Sequence, residues 1–264
     1  MAVEMINGRR VGVGRKGAGL PMLMLHCALA HRGALTPLMA ALPAHSFTAF
    51  DLPGHGESEL DNAVDIQAQA VETAVSLLED SGPADVFGHS FGATVALKLA
   101  LKRPDLVRRL SLYEPVYFSV LAKANPEAYA TEAKASAEFT SASLAQDWPT
   151  AARAFLERWS AEAFDDLSPP QRQYILKTIP LIMASGPSII APQSGSLILR
   201  EMAHFKTPIQ LITGGKSPVV ISQITDVLGL YGQTTTRNSV PQAGHMGPIT
   251  HANTIAKVMA SHRT

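Results

Sequence analysis

Cysteine is all but missing from this 264-residue chain: Cys27 stands alone. A single thiol permits no intramolecular disulfide, which suits a reducing cytoplasm. Net charge is missing too, because 22 basic residues balance 22 acidic ones. No Lys/Arg cluster exceeds short pairs such as Arg108–Arg109, so nothing points to nucleic acid as a partner. Long apolar runs are absent as well. The longest near the N-terminus, "LPMLMLHCALA" at 20–30, is too short for a membrane span and is interrupted by His26. No charged-then-apolar segment precedes it, so export is not expected, and a cytoplasmic protein without membrane attachment is. The nine histidines lack any paired metal-ligand spacing, which argues against a metal site. What remains is a chain 46% hydrophobic and only 17% charged, the composition of a compact globule.

Strand and helix patterns alternate from the start. Residues 2–14 predict a hairpin turning at Asn7–Gly8. Met22–His26 reads as a strand buried on both faces. Leu35, Leu38, Met39 and Leu42 recur at helical spacing, and 47–51 is the next strand. A helix over 64–78, a strand over 84–88, a helix over 93–102 ending before Pro104, and a strand over 110–113 follow. This order predicts an α/β fold, a mostly parallel sheet with helices on both faces.

The rhythm then breaks. Residues 116–206 give helical patterns at 126–139, 149–164 and 169–181 and no clear strand. Ten of the chain's sixteen aromatic residues fall there, Trp148 and Trp159 among them. Alternation resumes with a strand at 208–213, a helix near 218–230, a strand at 233–240 and a helix at 250–262. Residues 116–206 therefore read as a helical insertion between two strands of one sheet, with 1–115 and 207–264 as the core. "GVGRKG" at 12–17 fits the dinucleotide pattern G-x-G-x-x-G, but another strand follows it where a helix should open. Its glycines read as turn residues.

"DVFGHSFGATVAL" at 85–97 carries the strongest chemical signal. A strand delivers Gly88-His89-Ser90-Phe91-Gly92 and a helix leaves at once, the nucleophile-elbow pattern. The glycines are needed because a Cβ on either flank of the strained turn would collide with backbone. Serine requires a base, and "VPQAGHMGPIT" at 240–250 offers His245 between the last predicted strand and the last helix. One further feature stands out: the apolar strand in "SLYEPVYF" (111–118) stops at Glu114, where a carboxylate is costly to desolvate unless something holds it.

Together these segments resemble the α/β-hydrolase fold family over nearly the whole chain. "LMLHCALA" at 23–30 is similar to the family's His-Gly segment beside the oxyanion hole, and "FDLPGHGES" at 50–58 to its Asp-x-Pro-Gly-x-Gly-x-Ser turn. The resemblance implies that 116–206 is a helical cap. It also implies an oxyanion hole built from the backbone N–H groups of Phe91 and Ala28. Because Cys27 replaces the usual glycine after the histidine, Leu29 is a possible substitute for Ala28. The family's usual acid follows the strand after the cap, but "LITGGKSPVV" (211–220) places Ser217 there, and the next carboxylate is Asp226. Some branches of the family put the acid after the strand that follows the nucleophile. Glu114 occupies that place.

The expectation is a serine hydrolase using Ser90, His245 and Glu114 on an ester or related acyl bond of a small, largely apolar substrate. It needs no cofactor. Carbon–carbon bond hydrolysis or acyl transfer on the same three residues is the alternative. A hydrolase-like binding protein that has lost catalysis is the alternative from another class. His26 is expected to fix loop backbone, Asp51, His55 and Ser58 to serve a turn, His89 to pack inside the elbow, and Arg108 and Arg109 to face solvent. Cys27 reads as a small packing residue.

Overall fold

The computed structural model describes residues 2–261. Strands β1 (Ala2–Ile6) and β2 (Arg9–Gly17) form the predicted hairpin, with Asn7 and Gly8 at φ 52° and 76°. Two consecutive positive φ values match the right-handed twist of the flanking strands, and Asn-Gly tolerates them. β3 (Leu20–Leu25), β4 (His45–Phe50), β5 (Ala84–His89), β6 (Val107–Tyr113), β7 (Ile209–Gly214) and β8 (Thr235–Val240) complete one eight-stranded sheet. Its order is β1-β2-β4-β3-β5-β6-β7-β8, antiparallel at the β1–β2 and β2–β4 pairs and parallel elsewhere. The "GVGRKG" glycines lie within and at the end of β2, so no dinucleotide loop forms.

Alternation along β3 divides the core. Leu23 and Leu25 face the apolar layer that contains the Ile66–Ser81, Phe91–Lys102 and Val219–Tyr231 helices. Met22 and Met24 face the layer that contains the Thr36–Ala40 and Ala252–Ala260 helices. A central strand sandwiched this way must be apolar on both sides, which is why it reads as a continuous hydrophobic run. Each such side chain contributes about 1.5–3 kcal/mol by leaving water. Asp65 caps the Ile66–Ser81 helix by accepting from Ala68 N–H, and Gly82 ends it at φ 87°.

Between β6 and β7 the described residues form helices and no strand. Pro126–Ala135, Trp148–Trp159 and Pro169–Thr178 match predicted helices, with shifted ends. The predicted 126–139 helix is broken at Ser136, and Ala137–Leu144 is a separate helix beyond it. Two helices escaped the sequence reading: Pro180–Ile189 and Pro192–Met202. Each opens on a proline, which suits the first helical turn, where its missing N–H has no partner to lose; the residues that mask them are interior, Gly186 and Pro187 in the first and Gly195 in the second. Several of these helices share a small apolar cluster around Ala151, Leu156, Phe164 and Ile179. The predicted limits at residues 1 and 264, and the end of the last predicted helix at 262, lie outside the described residues.

Candidate active site

Sheet register fixes two of the candidate residues. His89 and Tyr113 are paired across β5 and β6, so Ser90 and Glu114 are the next residues off two neighbouring parallel strands. Both turn through the left-handed region, Ser90 at φ 57° and Glu114 at φ 51°. Non-glycine residues hold such values at a cost of about 1–3 kcal/mol each, sustained by what surrounds them. Ser90 N–H donates to Tyr113 C=O at 2.9 Å, and Glu114 N–H to Ile212 C=O at 2.9 Å, so the sheet's hydrogen bonding continues through the two bends. A Cβ at Gly88 would lie 2.5 Å from Ala93 Cα, and one at Gly92 2.4 Å from His26 C=O. The elbow therefore admits no side chain at either position.

His245 follows β8 in a loop that two side chains hold from the neighbouring strands β5 and β6. Tyr113 O–H donates to Gly244 C=O at 2.7 Å, and His89 Nε2 meets His245 C=O at 2.8 Å. A carbonyl only accepts, so His89 carries its proton on Nε2; this elbow residue positions the loop as well as packing. His245 Nδ1 lies 2.6 Å from Glu114 Oε2, and its Nε2 lies 2.9 Å from Ser90 Oγ. The carboxylate accepts the Nδ1 proton, leaving the Nε2 lone pair toward the serine hydroxyl.

Glu114 is fully buried. Its other oxygen, Oε1, accepts from Gly214 N–H and from Ser217 O–H, both at 2.6 Å. Three hydrogen bonds offset the large desolvation cost of a buried carboxylate. Ser217 and Gly214 were not read as site residues. The signal was present, since Ser217 stands where the acid is usual. Asp226 points elsewhere, paired with Arg237 in solvent, and Asp165 pairs with Arg153 on the surface.

The oxyanion candidates flank the serine. Phe91 begins the Phe91–Lys102 helix, so its N–H has no intrahelical acceptor. Ala28 lines the same cavity as Ser90 and Phe91. Leu29 N–H is already donated to His55 Nε2 at 3.1 Å, which removes it as an alternative donor. Leu29, two residues past Cys27, takes φ 60°. Burial pushes the Cys27 thiol up to about 12, an inert packing residue.

His26, His55 and His89 are structural and neutral. His26 Nε2 accepts from Leu52 N–H at 2.9 Å, and its Nδ1 meets Cys27 C=O at 2.7 Å. Desolvation lowers His26 and His89 well below the ordinary histidine value, and lowers His55 to about 4. Asp51, also fully buried, holds the turn through Arg32, Glu57 N–H and Ser58 O–H, the last donated to the Asp51 backbone C=O. Arg108 and Arg109 are half-exposed and both approach buried Asp85, a departure from a purely solvated face.

These depressed values predict acid lability. Above about pH 6.5 the three histidines are neutral both folded and unfolded and cost nothing. As pH falls toward about 4 the unfolded chain binds protons that the folded one refuses, so stability is lost through that window, about 3 kcal/mol for His55 alone. The expected result is a Tm that falls steeply between about pH 6.5 and pH 4.5. A flat Tm over that range would mean that these histidines titrate normally in the fold.

A cavity of about 910 Å³ opens over Ser90 and His245, lined by Val116, Phe118, Phe139, Phe155 and Trp159 among others. The Trp159 ring stands edge-on to the His245 ring, 4.9 Å between centroids. Among the described residues no cluster of His, Cys, Asp and Glu has the geometry of a metal site, and no helix is long and apolar enough to cross a membrane.

Comparison with known proteins agrees with this architecture. The chain is 28% identical over 242 residues to the pimeloyl-[acyl-carrier protein] methyl ester esterase of Neisseria meningitidis serogroup C, covering 88% of this chain and 89% of that protein. It is 33% identical over 114 residues to the 2-hydroxymuconate semialdehyde hydrolase of a Pseudomonas species, about 40% of each. The crystal structure of an alpha/beta hydrolase enzyme from a Medee basin deep-sea metagenome library superposes with a TM-score of 0.79. It covers 99% of this chain and 96% of that one at 15% identity. Residues 22–258 match the model of the alpha/beta hydrolase family. With that match spanning most of the chain, this protein belongs to the alpha/beta hydrolase family and is an enzyme of that fold.

Proposed function

We propose that the protein is a serine hydrolase that cleaves an ester of a small, largely apolar acyl compound. The observation that carries this reading is the unbroken hydrogen-bonded line from Ser90 Oγ through His245 to Glu114 Oε2. Ser90 Oγ attacks the carbonyl carbon while His245 Nε2 takes its proton, and the Glu114 carboxylate stabilises the imidazolium. The N–H groups of Phe91 and Ala28 receive the developing oxyanion. Collapse expels the alcohol, which takes the proton from His245. Water then loses a proton to the same nitrogen, attacks the acyl-enzyme and releases the acid. Residues 116–206 act as the cap that walls the acyl side, and its aromatic lining is why an apolar acyl group is favoured.

The named ester hydrolase among the relatives supports this chemistry, since it aligns over nearly the full length. The shorter match to a semialdehyde hydrolase keeps carbon–carbon bond hydrolysis as a second reading on the same three residues. A fluorophosphonate should label Ser90, and p-nitrophenyl esters should turn over. Labelling without ester turnover, joined to activity on a vinylogous keto acid, would move the assignment to the second reading. No labelling at all would return the protein to a binding role.

Ser217 enters as a support for the acid. Ser217→Ala removes one hydrogen bond to a buried carboxylate, worth about 1.5–3 kcal/mol. The expected result is a kcat lower by about 10–100-fold with KM little changed. An unchanged kcat would show that Gly214 N–H alone holds Glu114.

A further inference from the structure

The apolar cavity wall has one ionic seam. Glu132, on the Pro126–Ala135 helix, meets Arg158, on the last turn of the Trp148–Trp159 helix. Arg158 Nη1 donates to Glu132 Oε1 at 2.7 Å and to Ser136 Oγ at 3.1 Å, Arg158 Nη2 donates to Glu132 Oε2, and Ser136 O–H donates to Glu132 Oε1 at 2.9 Å. The guanidinium lies over the Trp159 ring, 4.9 Å from its centroid, and that ring stands against His245. A second cavity of about 410 Å³ is bounded by Thr131, Val220 and Gln223 and by exposed Val219 at the start of the Val219–Tyr231 helix. The two cavities share three residues: Glu132, Ala135 and Arg158. The ion pair is therefore the partition between them.

We propose that the Glu132–Arg158 pair is a selectivity gate that closes the acyl end of the active-site cavity and sets the longest chain the enzyme accepts. This rests on the serine-hydrolase reading above for the identity of the substrate, and on the shared cavity wall for the gate itself. Three features fit a gate better than a fixed strut. The pair bridges two separate helices. The Arg158 side chain keeps 21% of its exposure, so parting the charges lets water reach the guanidinium, while the buried Glu132 carboxylate keeps the Ser136 hydroxyl as a donor. The third shared residue, Ala135, is small, so once the pair parts no large side chain of the shared wall is left to fill the neck. Beyond the gate, the second cavity gives a long chain somewhere to go.

The test replaces the pair by uncharged side chains of similar length, Glu132→Gln with Arg158→Met, and reads the ratio of kcat/KM for the p-nitrophenyl hexadecanoate ester to that for the butyrate ester. The ratio is expected to rise by about tenfold or more, the scale on which a pocket discriminates alkyl length. A pair with only a structural role would lower both rates together and leave the ratio unchanged, which would overturn the gate. Glu132→Gln alone keeps the stacked guanidinium and should shift the ratio in the same direction by less, so a poorly folding double variant leaves the proposal open to refutation. The same substitutions in a Ser90→Ala background, read as calorimetric affinity for hexadecanoate over butyrate, test the gate without turnover. A shifted affinity ratio there, joined to a Ser90 protein that hydrolyses neither ester, would uphold the gate and discard the hydrolase reading. An unshifted one would discard the gate.

Discussion

Ser90→Ala is expected to lower ester-hydrolysis kcat by about 10³-fold or more while the protein stays folded. The substitution removes the attacking oxygen and leaves the cavity and the Phe91 and Ala28 N–H groups in place, so only their residual stabilisation remains. Alanine at φ 57° is strained as serine is, so Tm should change little. The measurement is steady-state hydrolysis of one activated ester beside a thermal melt. Near-normal turnover in a folded Ser90→Ala protein would end the assignment of Ser90 as nucleophile.

Glu114→Gln probes the acid. The amide keeps the shape but removes the charge that, in the proposed mechanism, stabilises the His245 cation. Its oxygen and NH2 group must also share three partners, two of which donate from Gly214 and Ser217. If the amide oxygen stays on those two donors, the NH2 group faces His245 Nδ1 and imposes the opposite tautomer. Both effects act on the base, so a fall of about 10²–10⁴-fold in kcat is expected. Asp226→Asn serves as the comparison, since Asp226 is exposed and tied to Arg237. Circular dichroism should find both variants folded. A large loss in Asp226→Asn beside a mild one in Glu114→Gln would move the acid to the strand that follows the helical insertion.

The sheet was legible in the sequence because its strands are short apolar runs between turn residues, and the elbow was legible because its glycines leave a fixed spacing. Glu114 could be singled out because an apolar strand that ends on a carboxylate and a proline is anomalous. The supports around it were harder to find. Ser217 lies 103 residues away in sequence and meets Glu114 only through the β6–β7 pairing, which no local pattern encodes. The helices Pro180–Ile189 and Pro192–Met202 were hidden by helix-breaking residues inside them, Gly186 and Pro187 in the first and Gly195 in the second. The Glu132–Arg158 seam was equally invisible, since two charges 26 residues apart read as surface until the helices are packed.

Placing Glu114 directly off β6 also orders events along the chain. Ser90 and Glu114 hang from two adjacent strands whose mutual register is complete before residue 116. The helical segment that follows can therefore lengthen, shorten or repack without altering the distance between Ser90 and Glu114, the proposed nucleophile and acid. With the acid after β7, every change in the insertion would sit between the two. Chemistry and selectivity are thereby separable in the chain: the proposed reacting pair is built from one contiguous block of sequence, and the helices that line the cavity come after it.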